Sequence, residues 1–160
     1  MTALGIAHLT SAVVALALGA IVVLERKGTP THRLIGAGYV LAMLIVNVTA
    51  LCLFRLTGRF EPFHALALVS LATITQGVLA AVRRRDRWLH THYYCMAWSY
   101  IGLWAAACAE SVIRIPALAA AIASPARAIG TGLAIAGAFT LLGVVVLPRV
   151  QARAFNSLKT

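Results

Sequence analysis

Acidic side chains are scarce in this sequence: four Asp and Glu among 160 residues, against fourteen Lys and Arg. Charge of either sign is thin, at 11% of residues, where a soluble domain carries about a quarter. So few charges cannot cover a water-facing surface, and a soluble globular class is excluded. Cysteine is limited to Cys52, Cys95 and Cys108. An odd count without a CxxC spacing excludes a disulfide framework and points to small buried apolar positions. No HExxH run is present, so the usual helix of a zinc hydrolase is missing. There is no aromatic RNA-binding signature and no helix-turn-helix pattern, so the formal charge of +10 is not read as a nucleic-acid footprint. No Lys or Arg precedes Arg26. The first apolar run therefore lacks the basic lead of a secretory signal and is expected to be retained as a span.

What fills the chain is apolar surface: 61% hydrophobic residues and a mean hydropathy of +0.89. A bilayer core of about 30 Å needs about 20 helical residues to cross it. Five windows meet or approach that length, at about 3–24, 33–54, 63–82, 90–111 and 126–147, the last closed by Pro148. The segment Val112 to Pro125 is apolar but short and carries Arg114, Pro116 and Pro125. It is expected to be an interfacial helix or a packed loop. The expected fold is an all-α integral membrane protein in one transmembrane domain, an antiparallel bundle with a four-helix core plus a fifth helix.

The basic residues sit in the gaps. The first gap holds Arg26, Lys27 and Arg33, the third Arg83, Arg84, Arg85 and Arg87, and the tail Arg149, Arg153 and Lys159. The second holds Arg55 and Arg59, and the fourth Arg114 and Arg127. The richer gaps alternate, so the positive-inside rule places the first, the third and the tail in the cytoplasm. The N-terminus then faces outward and the C-terminus inward, a parity that five spans satisfy and four do not. The Arg83–Arg87 cluster is expected to set topology and to touch anionic lipid.

The five histidines are the chemical signal. His8 and His64 lie near outer helix ends, and His32, His90 and His92 near inner ones. In a four-helix bundle, helices one and three are diagonal, as are two and four. Imidazoles from diagonal helices form a natural clamp for haem b, each supplying one axial nitrogen. His8 with His64 is the expected outer pair and His32 with His92 the inner one. His90 points about 160° away from His92 on a helix, so only one of them faces the axis. At 100° per residue, His92, Met96, Ser99, Leu103, Ala106 and Glu110 share one stripe of the fourth helix. In the second helix, His32, Gly36, Tyr39 and Met43 share another, with Asn47 at its edge.

Other readings of these residues stand beside the haem clamp. His8, His64 and Glu110 have the ligand types of a zinc-like metal site able to activate water. Glu110 is the acidic residue expected inside a span, as a metal ligand, a proton acceptor or the ion-pair partner of Arg114. His32 fits an interfacial or capping position equally well. Tyr93, Tyr94 and Trp88 fit an aromatic belt, and the Gly and Ala stripes fit plain helix packing.

The run Lys27-Gly28-Thr29-Pro30-Thr31-His32-Arg33-Leu34-Ile35-Gly36, the Pro62-Phe63-His64 block, and the later His92, Met96 and Glu110 resemble an uncharacterised family of small bacterial predicted membrane proteins. That resemblance implies membership and a bacterial inner membrane, and no activity. The placement of His8, His32, His64 and His92 on successive helices is also similar to the diheme transmembrane cytochromes b, although these histidines lie closer to the helix ends and no ascorbate-binding motif is present. The leading expectation is a haem-b membrane electron carrier. Its expected partners are lipid, a quinone or another membrane redox protein, and a further copy of the chain. A zinc-like metalloprotein or hydrolase and a structural subunit of a membrane complex are the alternatives.

Overall fold

The structure, a computed structural model, describes residues 2–53, 58–114, 120 and 124–156. Five long helices carry these residues: α1 (Ala3–Leu24), α2 (Pro30–Leu51), α3 (Pro62–Arg83), α4 (Trp88–Arg114) and α5 (Pro125–Asn156). Among the described residues there is no strand. The second window was expected to run to residue 54, which lies outside the described residues. Most of the expected interfacial segment 112–125 lies outside them as well.

The helix starts are written in capping chemistry. Thr2 Oγ1 accepts from the Gly5 amide and Thr29 Oγ1 from the His32 amide, each satisfying a donor that the first turn leaves open. Pro30, Pro62 and Pro125 each occupy the first helical position, where the missing N–H has no partner to lose. At the other end of α1, Lys27 Nζ donates to the carbonyls of Val22 and Val23, both at 2.7 Å. Partial desolvation there pulls Lys27 below the usual lysine range, with the Glu25 charge acting in the opposite sense.

Four of the five helices, α1, α2, α3 and the Pro125–Gln151 part of α5, are long and apolar enough to cross a membrane. The expectation of five apolar spans is therefore met by composition in four. With 27 residues, α4 reaches about 40 Å. Its apolar character is diluted by His90, His92, Tyr93, Tyr94, Ser99 and Tyr100. Pro148 does not close the last helix as expected: α5 runs through it to Asn156. A proline removes one backbone donor, and tyrosines from α4 bond to α5 on both sides of it. Tyr93 Oη donates to the Leu147 carbonyl at 3.5 Å and Tyr94 Oη to Gln151 Oε1 at 2.8 Å. These two tyrosines thus tie α4 to α5.

The chain divides into two compact units, Met1–Thr75 and Gln76–Thr160, with the boundary inside α3. In the first unit, α1 packs on α2. The buried positions of α1 are Gly5, Ser11, Ala15 and Gly19, while Ile6, Val13, Val14, Ile21 and Val23 are exposed. Small residues inside and branched aliphatics outside reverse the pattern of a soluble helix pair, as lipid-facing helices require. α2 buries Tyr39, Met43 and Asn47 on one line, as the helical phase predicts, together with Ala42, Val46 and Thr49.

In the second unit, α4 packs on α5. A Cβ added at Gly143 would lie 2.7 Å from two ring carbons of Trp98 and 3.0 Å from Ile101 Cδ1. Glycine is what lets the indole lie against the α5 backbone. A Cβ at Gly77 of α3 would likewise collide with the Met96 methyl and stand 2.9 Å from Cys95 Cβ. The turn from α3 to α4 holds Arg84 (φ 45°) and Arg87 (φ 58°) in the left-handed region, which L-residues other than glycine rarely adopt.

Candidate functional site

The five histidines separate into two sorts by depth in their helices. His32, His64 and His90 each occupy the third residue of a helix, while His8 and His92 lie at the sixth and fifth. The deeper two reach across to a neighbouring helix.

His8 Nδ1 is 3.2 Å from the Val46 carbonyl and 2.9 Å from Thr49 Oγ1. The Thr49 hydroxyl donates to the Ile45 carbonyl at 2.7 Å, so its proton is directed at the backbone. A carbonyl only accepts, so His8 Nδ1 carries the proton and Nε2 is the basic nitrogen. His92 repeats the arrangement in the second unit. Its Nδ1 donates to the Gly77 carbonyl at 2.9 Å, again leaving Nε2 basic. The Gly77 carbonyl is reachable because residue 77 has no side chain between α3 and α4.

His64 is wired the other way. The Glu61 amide donates to its Nδ1 at 3.0 Å, so the ring proton sits on Nε2. Third in its helix and reaching back to the amide just before the proline, His64 stands where a capping box places Glu or Gln. It is 3% exposed and its ring lies 5.1 Å from that of Phe60. Glu61 itself is 5% exposed, a deeply buried acid that the apolar windows alone do not reveal. The signal was local: Thr29-Pro30-Thr31-His32 and Glu61-Pro62-Phe63-His64 share one cap, proline and histidine spacing.

His32 is half-buried, and its amide is the one that Thr29 caps. His90 is exposed, with its ring 4.6 Å from that of Tyr94. The stripe expected on α4 holds at Ser99 and Leu103, which are buried, and departs at Ala106, which is exposed. Ala105 and Ala109 take the buried positions there, and Glu110 is half-buried. The side chain of Arg114, the expected ion-pair partner of Glu110, lies outside those described.

Among the described residues, no group of three or more His, Cys, Asp or Glu is placed to hold a metal. The expected outer haem pair, His8 and His64, lies within the first unit but in opposite tautomers. The expected inner pair, His32 and His92, is divided between the two units.

Long apolar helices, an inverted burial pattern and helix-to-helix histidine bonds define an all-helical membrane protein. The chain belongs to the family described as predicted membrane protein (DUF2306), which matches residues 5–149. No curated protein and no solved structure matches it.

Proposed function

We propose that this protein binds haem b within the bilayer and relays electrons, with His8 in the first unit and His92 in the second as the residues that would each ligate a haem. The supporting observation is the shared wiring of these two rings. In each, a neighbouring helix takes the Nδ1 proton, onto Thr49 Oγ1 and the Val46 carbonyl for His8 and onto the Gly77 carbonyl for His92, and so makes Nε2 the basic nitrogen. Metal-ligating histidines carry the same outer hydrogen bond, which fixes the tautomer and raises the basicity of the coordinating atom. A haem so held supplies a one-electron couple. The helices hold each ring at a set tilt, and the apolar helix faces exclude water around it.

His64 does not fit the ligand role in its present wiring, because its Nε2 holds the ring proton. We assign it to the start of α3. His32, in the first unit, is kept as a further candidate ligand. The electron donor and acceptor are proposed to be a quinone or a second membrane redox protein. Counting α4 as a fifth crossing, the alternation of arginine-rich turns supports an orientation with the N-terminus outside and the C-terminus in the cytoplasm of a bacterial inner membrane.

The same two bonds also support a second reading, in which they only staple helices together in an accessory subunit. An absorbance spectrum of the purified full chain, before and after adding haem, separates the two. The haem assignment expects a Soret band that shifts on reduction and weakens in His8→Ala and in His92→Ala, while His90→Ala leaves it unchanged. A chain that folds and shows no Soret band after reconstitution overturns it, as does a band indifferent to both substitutions.

A further inference from the structure

The turn between α3 and α4 carries Arg83, Arg84, Arg85 and Arg87, with Asp86 the single acid among them, and all five are exposed. Among the described residues, no ion pair or side-chain hydrogen bond engages any of the four guanidinium groups. Arg84 lies over the Trp88 ring, 5.3 Å from its centroid. The turn between α1 and α2 shows what cations do when they serve the fold. There, Lys27 donates to two carbonyls at the end of α1, and Arg33 Nη2 donates to the Gly28 carbonyl at 3.3 Å. The α3–α4 arginines satisfy no helix end in that way.

The backbone of this turn is a second, separate observation. Its two left-handed positions are Arg84 and Arg87, where glycine would sit without strain. A non-glycine residue held in that region is a pointer to function when the side chain itself is needed. The turn joins two long helices at their ends, where the headgroups of a bilayer lie, and the Trp88 ring is a side chain suited to that depth.

We propose that the α3–α4 turn is a binding site for the phosphate headgroup of an anionic phospholipid. Arg83, Arg84, Arg85 and Arg87 supply the charge and Trp88 the interfacial anchor. Charge complementarity selects the ligand, since four guanidinium groups and one carboxylate leave an unmatched excess of three positive charges at the membrane surface. Planar guanidinium groups match phosphate oxygens two at a time. The assignment is independent of haem.

The test uses the purified full chain in nanodiscs of phosphatidylcholine containing a minority of phosphatidylglycerol, with native mass spectrometry counting the lipids that remain bound. The wild-type chain is expected to retain phosphatidylglycerol over phosphatidylcholine. Arg85→Gln, which leaves three arginines and so preserves topology, is expected to cut that preference about fivefold, the factor that about 1 kcal/mol per basic residue corresponds to. Arg85→Gln with Arg87→Gln is expected to cut it further. Lys27→Gln with Arg33→Gln, on the other turn, is expected to leave it unchanged. The proposal is overturned by equal retention of both lipids, by a loss on the Lys27 and Arg33 side as large as on the Arg85 side, or by displacement of the lipid with inorganic phosphate.

Discussion

Between α1 and α2, contact is made by small side chains spread along a helix: Ser11, Ala15 and Gly19 line the buried face at four-residue steps. Between α4 and α5, the tightest contact is one large ring set on one glycine, Trp98 on Gly143. Polar bonds reinforce each pair, from His8 to Val46 and Thr49 in the first and from Tyr93 and Tyr94 to Leu147 and Gln151 in the second. Lipid offers no hydrophobic drive for helix association, so both pairs rely on close fit. They distribute it differently. A row of small contacts loses little when one changes, whereas a ring seated on a backbone has one place to fail.

That contrast gives an order of effects. Gly143→Ala is expected to be the most damaging, because the new Cβ meets a rigid indole. Overpacking of this kind costs about 1–3 kcal/mol, measurable as earlier unfolding of the purified protein in a detergent titration. A wild-type unfolding midpoint would show that α5 slides freely past Trp98. Gly102→Ala has the opposite sign, since among the described residues no neighbouring atom lies within 4 Å of the added carbon. Removing a helix-interior glycine is expected to stabilise by about 0.5–1 kcal/mol, and a loss there would reveal a close neighbour at that position. Tyr94→Phe is expected to cost about 0.6 kcal/mol, the average for an interhelical hydrogen bond in a membrane. A double-mutant cycle with Gln151→Leu should recover that coupling, and additive costs would deny the bond any energetic role. Gly38→Ala tests the first pair most gently. Its Cβ would stand 3.2 Å from Leu18 Cδ1, the end of a flexible side chain that can move aside. A shift of a few tenths of a kcal/mol is expected. A cost as large as that of Gly143→Ala would mean that the two pairs do not differ in kind.

Much of the fold was legible because lipid demands long apolar helices and leaves only short gaps to join them. The first helix spans Ala3–Leu24, the expected 3–24, because Thr2 caps it and the charged Glu25-Arg26-Lys27 run ends it. The Tyr39, Met43 and Asn47 line on α2 was visible from phase alone. Helical phase fixes which residues share a face, but not which helix that face meets. His92 bonds to a backbone carbonyl at Gly77, and His8 to the Val46 carbonyl together with the Thr49 hydroxyl. Every residue carries a carbonyl, so no residue type marks that kind of partner. Pairing histidines by the side of the membrane they occupy therefore grouped His8 with His64, whose hydrogen bonds differ, and separated His8 from His92, whose hydrogen bonds match. Pro148 was misjudged as a terminator: α5 continues through it, and tyrosines more than fifty residues away bond to Leu147 and Gln151 on either side of it.

The capped starts of α2 and α3 bear on how the chain is made. In each, an amide at the helix start finds a side-chain partner three residues away, with a proline already holding the first dihedral. A helix closed on its own sequence does not wait for a neighbour. As the chain leaves the ribosome, α2 and α3 can each enter the bilayer as finished rods. The helix-to-helix bonds of His8 and His92 belong to a later stage, when rods already in the membrane find one another.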